Sequence, residues 1–204
     1  MSWEVVSSKI EFDNEHVRVT TEQVRAPGRP EPTPWIVAHR KRAVGIAAMT
    51  ADNKILLIRQ ERIPIRSAIW EVPAGQIDHG GEIELSAMEK VALQELREET
   101  GYELAEGGTV LALGDYFTSP GFTDEHVYLF LVSPVRLTAK GSDGEEAILD
   151  CRAFSGEEMI AMINRNEIQD ANTLSICAKL MATGILKTKE HPPPPRLWRG
   201  RRRA

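Results

Sequence analysis

The stretch QELREETGY, residues 94–102, determines how the rest of the chain is interpreted. Read as the end of a helix, it places Glu98 and Glu99 three and four residues after Glu95, a spacing that stacks side chains on one helical face. Like charges at this spacing repel each other by about 0.2–0.5 kcal/mol per pair. Gly101 is a natural residue to end a helix, so the acids also lie near the negative pole of the helix dipole.

A bound cation explains this acidic cluster better than local helix stability does. Mg²⁺ takes oxygen ligands, and one or two carboxylates together with substrate phosphates form its usual protein site. A solvated acidic face remains the ordinary explanation of a Glu-rich helix, so the residues around the helix have to decide between the two.

The segment from Trp70 to Tyr102 resembles the Nudix box, G-x5-E-x7-R-E-U-x-E-E-x-G-U, where U is apolar or aromatic. Gly75 matches the first glycine of the box. The second half of the box is matched in register by Glu95, Leu96, Glu98, Glu99, Gly101 and Tyr102. The chain is therefore expected to be similar to Nudix hydrolases in fold and chemistry.

Two departures from the box affect the expected metal site. Glu82 comes one residue later than the box requires, and eleven residues rather than seven separate it from the Arg position. A short insertion before a helix that starts near Ser86 explains this spacing. Gln94 replaces the Arg itself, and its amide donates hydrogen bonds but carries no charge. We expect weaker organisation of the metal site as a result.

The pattern LIRQER, residues 57–62, followed by WEVPAG, residues 70–75, resembles the ADP-ribose pyrophosphatase branch of the family. The resemblance implies that Arg62 binds the pyrophosphate, for which the planar donor fork of Arg is suited. It also implies a site for Mg²⁺, or for Mn²⁺ in its place. The implied ligands are the carbonyl of Ala74 and the carboxylates of Glu95, Glu98 and Glu99.

Further residues receive roles from the same resemblance. Glu125, at the end of SPGFTDE, is expected to reach the ribose or the metal cluster, and Trp35 and Arg40 are expected to contact adenine and phosphate. A water that attacks phosphorus needs a base or a metal. Glu146, or its neighbour Glu145, occupies the position of the base, and Glu98 is the rival candidate. For each of these residues an ordinary packing or surface role is the alternative.

Strands before and after one central helix, followed by two C-terminal helices, indicate an α/β (α+β) fold. The resemblance implies an α/β/α sandwich with a mixed sheet. Residues 43–49 and 54–60 are predicted to form a hairpin, and residues 1–42 a small antiparallel β extension that needs another surface to pack on. We predict three parts: this extension, a Nudix domain over residues 43–188, and a Pro-rich basic tail over residues 189–204.

Composition limits the classes of function. The 204 residues include 25 basic and 30 acidic residues, which gives no electrostatic case for nucleic acid as a ligand. No uninterrupted apolar stretch approaches the length of a membrane span, and two cysteines without metal-like spacing suit a reducing compartment. We therefore expect a cytoplasmic protein, and the small extension together with the resemblance indicates a homodimer.

The resulting functional hypothesis is Mg²⁺-dependent hydrolysis of ADP-ribose to AMP and ribose 5-phosphate. A related nucleoside diphosphate sugar, such as GDP-mannose or ADP-glucose, is an alternative substrate, because the box contacts only the diphosphate and the metals. A binding regulator that has lost catalysis is a second alternative. The sequence favours hydrolysis, because all three helix acids are present and no length remains for a DNA-binding module.

Overall fold

The computed structural model of the chain describes residues 2–78, 83–138 and 147–187. Within these residues it contains ten strands and three α-helices. In chain order they are β1 (Glu4–Asp13), β2 (Arg18–Arg25), β3 (Thr33–His39), β4 (Ala43–Thr50), β5 (Ile55–Arg62), β6 (Ser67–Glu71), β7 (Ala74–Gln76), α1 (Leu85–Thr100), β8 (Tyr102–Phe117), β9 (His126–Leu137), β10 (Ile148–Phe154), α2 (Gly156–Asn164) and α3 (Ala171–Ala182).

The larger of two sheets has seven strands and is mixed. Its main path runs β10-β5-β4-β9-β8, with β6 paired to β5 and β7 paired to β4. Strands β4 and β9 run parallel, and the other pairs are antiparallel. The predicted hairpin is confirmed: β4 and β5 are antiparallel, and Asn53 in their turn takes a positive φ of 59°.

Helices cover both faces of this sheet, so the predicted α/β/α sandwich is confirmed. On one face, Met88, Ala92 and Leu96 of α1 pack in an apolar cluster with Val44 and Ile46 of β4. On the other face, α2 and α3 pack against the sheet in a second cluster. Alternate residues of β4 belong to different clusters because side chains along a strand point to opposite faces.

Helix α1 has the ends that the sequence indicates. It begins at Leu85, one residue from the predicted start, and its buried residues recur at four-residue intervals from Met88 to Leu96. Gly101 ends it in the left-handed conformation, with φ of 74° and its N–H bonded to the carbonyl of Arg97. A residue with a side chain is strained at this φ, so glycine fixes where the acidic end of the helix stops.

The two C-terminal helices begin at side-chain caps. Ser155 and Glu158 form a capping box at α2. Asp170 caps α3, and its side chain accepts a hydrogen bond from the N–H of Thr173. In the part of the chain that the structure describes, no helix has the length and apolar character needed to span a membrane.

The N-terminal strands form a small antiparallel sheet, as predicted, and their order in it is β1-β2-β3. Every residue of β1 is exposed. Strand β3 reaches the rest of the chain through a bridge between Ala38 and Thr123. The division at residue 42 remains a prediction, and the tail predicted over residues 189–204 lies outside the described residues.

Candidate active site

The acidic end of α1 lies against the start of β7. Gly75 faces Glu95 so closely that a β-carbon on this glycine would overlap the end of the Glu95 side chain. Glu99 is 4% exposed, and its Oε2 accepts a hydrogen bond of 2.9 Å from the N–H of Ala74. Two of the three predicted metal-binding acids therefore adjoin the backbone of residues 74 and 75.

Glu98 has a different environment from the other two acids. It is exposed, and its Oε1 accepts a 3.0 Å hydrogen bond from Nε2 of Gln94. Gln94 stands at the Arg position of the box, so a neutral donor here orients Glu98 where the box would supply a positive charge. The carboxylate of Glu98 therefore keeps its contact with water.

The donor chemistry around Ala74 suits a hard divalent cation. Glu95 and Glu99 supply carboxylate oxygens, the carbonyl of Ala74 is a further oxygen donor, and the missing side chain of Gly75 leaves room for Glu95. Within residues 2–78, 83–138 and 147–187, no group of three or more His, Cys, Asp or Glu side chains already has the geometry of a metal site. The ligand roles of these residues thus stay predictions.

Arg62 lies at the end of β5 and is paired with a residue to which the sequence assigned no role. Its Nε and Nη2 donate to the two carboxylate oxygens of Glu71 at 3.0 and 2.6 Å. The side chain of Glu71 is 2% exposed, whereas that of Arg62 is 41% exposed. A buried carboxylate thus fixes the planar guanidinium while part of it faces solvent.

The electrostatics of this pair connect it with the acidic helix. The hydrogen bond that Arg62 donates to Glu71 raises the pKa of Arg62 above its usual value, and the charges of Asp170 and Glu99 act in the same direction. Burial raises the pKa of Glu71, and Arg62 opposes that change. Arg62 therefore lies within electrostatic reach of Glu99, so the predicted phosphate-binding and metal-binding residues share one region.

The start of α3 adds polar groups to the same region. The hydroxyl of Tyr116 donates a 2.6 Å hydrogen bond to Oδ1 of Asn172. Burial raises the pKa of Tyr116, and the charges of Asp170 and Glu125 raise it further. Sequence reasoning missed Tyr116, Asn172 and Asp170 as parts of this region, because nothing in the local pattern shows that β8 and α3 meet here.

The predicted adenine and phosphate contacts from the N-terminal sheet lie beside the loop that follows β8. Nε1 of Trp35 donates to the carbonyl of Gly121 at 3.1 Å, and Nε of Arg40 donates to Oε1 of Glu125 at 2.8 Å. Trp35 is 53% exposed. The structure thus pairs Arg40 with Glu125 and places Trp35 against Gly121 of the same loop. The predicted bases Glu145 and Glu146 lie outside the described residues, as does Glu82.

A family model of the NUDIX domain matches residues 39–175, which include every element from β4 to β10. The chain belongs to the Nudix family. The solved structure described as an ADP compounds hydrolase superposes with a TM-score of 0.67 at 15% identity, covering 91% of this chain and 97% of the other. At this identity the likeness concerns the fold, and it agrees with the predicted sandwich.

Three curated relatives are similar over most of their length. The ADP-ribose pyrophosphatase of Bacillus subtilis (strain 168) is 32% identical over 163 residues, 79% of this chain and 83% of the relative. The methanol dehydrogenase activator of Bacillus methanolicus is 31% identical over 87% of this chain and 92% of its own. The ADP-ribose pyrophosphatase of Mycobacterium tuberculosis is 30% identical over 94% and 88%.

The contact between Gly75 and Glu95 gives a direct test of the site. Gly75→Ala should displace Glu95, whose carboxylate is the flexible end of a side chain, so the free energy of unfolding should change little. Activity should nevertheless fall by about 100-fold, the typical cost of misplacing an active-site group by about 1 Å. Steady-state kinetics and urea unfolding measure the two effects.

Gly28→Ala is the matched control. Gly28 has a φ of 78° and nothing within 4 Å of its missing β-carbon, so alanine is strained there without contacting the site. This variant should lose stability and keep full activity. Full activity in Gly75→Ala would show that catalysis does not depend on the position of Glu95 beside Gly75.

Proposed function

We propose that this chain hydrolyses the diphosphate linkage of ADP-ribose, with Mg²⁺, to give AMP and ribose 5-phosphate. Membership of the Nudix family and similarity to two ADP-ribose pyrophosphatases support the proposal. The structural observation that carries it is that Glu71, which binds Arg62, lies three residues before Ala74, whose N–H donates to the α1 carboxylate Glu99. A diphosphate bridging a cation and an arginine needs both groups at one site.

Arg62 is arranged to bind a phosphate oxygen while it keeps its ion pair with Glu71. Glu71 occupies Nε and Nη2, whereas Nη1 makes no hydrogen bond among the described residues. A phosphate can therefore accept from Nη1 while the buried carboxylate holds the plane of the guanidinium. Arg62 stabilises negative charge on the diphosphate in this arrangement.

Glu95, Glu98, Glu99 and the carbonyl of Ala74 would hold the cation. When bound, Mg²⁺ polarises the phosphate and lowers the pKa of water, the Lewis-acid role of such ions. The exposed carboxylate of Glu98, oriented by Gln94, can accept a proton from water. Glu146 or Glu145 is the other proposed base, and its loop lies outside the described residues.

Trp35, Arg40 and Glu125 form the proposed site for the nucleoside end of the substrate. An exposed indole offers a flat face for a purine. Arg40 and Glu125 are paired at the other end of the loop that the indole contacts, and they carry groups for phosphate and ribose hydroxyls. GDP-mannose and ADP-glucose are less favoured substrates, because two of the three named relatives are ADP-ribose pyrophosphatases. A regulator without catalysis is also less favoured, since all three helix acids are retained.

Replacing a helix acid with its amide tests the proposal. Glu98→Gln and Glu99→Gln should each lower the turnover of ADP-ribose by orders of magnitude, because an amide is a poor ligand for Mg²⁺. Stability should hold or rise, since repulsion between like charges is relieved. AMP release, measured by chromatography with Mg²⁺ and again with a chelator, gives the result. The chelator should abolish wild-type activity.

Glu89→Gln is the control, since Glu89 lies on the same helix but outside the acidic end. It should match the wild type. Wild-type turnover by Glu98→Gln and Glu99→Gln would reject the assignment of α1 as the metal-binding helix. A panel of nucleoside diphosphate sugars, with AMP distinguished from GMP, tests the choice of substrate.

A homodimer formed through the N-terminal sheet is part of the proposal. Phe12 is 52% exposed and Ile36 62% exposed. Strand pairing aligns Phe12 with Val19 and Val19 with Ala38, two residues from Ile36, so these side chains lie on one face. Soluble monomers rarely expose large contiguous apolar patches. A second copy of the chain is the occupant that the small size of this sheet favours.

Charge placed on this apolar face should disrupt the dimer. The wild-type protein should sediment at twice the mass of one chain, and Ile36→Asp or Phe12→Asp should sediment as a monomer, because a buried carboxylate at an interface is costly. Leu137→Asp is the control, since Leu137 is 63% exposed on the larger sheet. A monomeric wild type, or dimers in all variants, would reject this interface.

We also propose a cytoplasmic location. Cys151 and Cys177 are both free thiols. Burial raises the pKa of each to about 11, so both remain protonated at neutral pH. Two unpaired thiols without a disulfide suit a reducing compartment.

A further inference from the structure

The connection from β6 to β7 joins the two halves of the proposed site. The side chain of Glu71 holds Arg62, and three residues later the N–H of Ala74 donates to Glu99. Pro73, between them, accepts a 2.9 Å hydrogen bond from the N–H of Ile46 in β4. A shift of this short connection would therefore move the arginine and the carboxylate relative to each other.

The remaining residue of the connection is held by α3. Val72 is 1% exposed, and its N–H donates a 2.9 Å hydrogen bond to Oγ1 of Thr173. Strand pairing of β6 ends at Glu71, and β7 begins at Ala74, so no sheet partner serves the N–H of Val72. Buried N–H groups are almost always paired, which makes Thr173 the partner that this position requires.

Thr173 is itself held in one orientation. It is fully buried, and its hydroxyl donates its single proton to Oδ2 of Asp170 at 2.8 Å. The same carboxylate oxygen caps the N–H of Thr173 at 2.8 Å. A hydroxyl has one donor and two acceptor positions, so the bond to Asp170 leaves a lone pair for Val72. The charge of Asp170 also acts on Arg62 and Glu71.

We propose that Thr173 is a positioning residue of the active site. Through the N–H of Val72 it fixes the connection that carries Glu71 and Ala74, so that Arg62 and the acids of α1 can bind the same diphosphate. This inference rests on the proposed function. It gives the N-terminus of α3 a role in catalysis, although Thr173 does not contact the substrate.

Two substitutions at Thr173 distinguish the effect of its hydroxyl from the effect of its side-chain shape. Thr173→Val keeps the shape and removes the hydroxyl, whereas Thr173→Ser keeps the hydroxyl. For ADP-ribose with Mg²⁺, assayed well below the unfolding temperature, Thr173→Val should lose about 10- to 100-fold in kcat/KM. Thr173→Ser should stay close to the wild type. A purely structural role would lower the melting temperature and leave kcat/KM unchanged.

Thr183→Val, at the residue that caps the C-terminal end of the same helix, is the control. The hydroxyl of Thr183 donates to the carbonyl of Lys179 at 3.0 Å, at the opposite end of α3. This variant loses a more exposed hydrogen bond far from the connection and should keep the wild-type kcat/KM. An equal loss in Thr183→Val and Thr173→Val would show a general effect of weakening α3 and would overturn the proposal.

Amide hydrogen exchange in the protein without substrate gives a second measurement that does not depend on turnover. Exchange at Val72 and Ala74 should accelerate in Thr173→Val and remain slow in Thr173→Ser. Unchanged protection of Ala74 in Thr173→Val would overturn the proposal. If the wild type fails to hydrolyse ADP-ribose, the proposed function is wrong, and exchange at Ala74 still decides whether Thr173 positions the connection.

Asp170→Asn replaces Thr173→Val if that variant does not fold. Asparagine also caps helices, so α3 should form, but its neutral amide holds the hydroxyl of Thr173 more weakly. Exchange at Ala74 and kcat/KM should change in the same directions by a smaller factor. Wild-type values of both in Asp170→Asn would then overturn the proposal.

Discussion

The close approach of α1 to the start of β7 is the contact on which the site depends. Glu95 lies where a side chain at position 75 would be, and Glu99 is buried with a hydrogen bond to the N–H of Ala74. Glycine at position 75 and a helix that stops at Gly101 make this approach sterically permissible. Carboxylates gathered at the negative end of a helix are unfavourable in the protein alone, so their placement is best explained by a ligand of opposite charge.

In the second half of the site, too, a contact with a neighbouring group fixes the position of a charged side chain. Arg62 would be mobile at the end of a strand, but the buried carboxylate of Glu71 holds its plane and leaves one nitrogen for an anion. A single connection, residues 71–74, carries Glu71 at one end and the partner of Glu99 at the other. The placement of the arginine relative to the carboxylates thus depends on these four residues of backbone, which Thr173 and Ile46 hold from two directions.

The sequence predicted the elements that are determined by residues close together in the chain. The spacing of Glu95, Glu98 and Glu99 and the glycine after them predicted the end of α1. The sequence did not predict the short strands β6 and β7, because these strands are held by pairing with β5 and β4. Glu71 stood within a recognised motif, but its role appears only when β5 and β6 pair. Tyr116 and Thr173 act through contacts between distant parts of the chain, and no local pattern reports such contacts.

Diffraction from crystals containing Mn²⁺, with the metal located by anomalous scattering, tests most directly whether the acidic end of α1 binds a divalent cation. The ion should lie between Glu95 and Glu99, within bonding distance of the carbonyl of Ala74, and on the side of the site that faces Arg62. Manganese bound elsewhere, or bound only to Glu98 in open solvent, would contradict this explanation of the acidic helix.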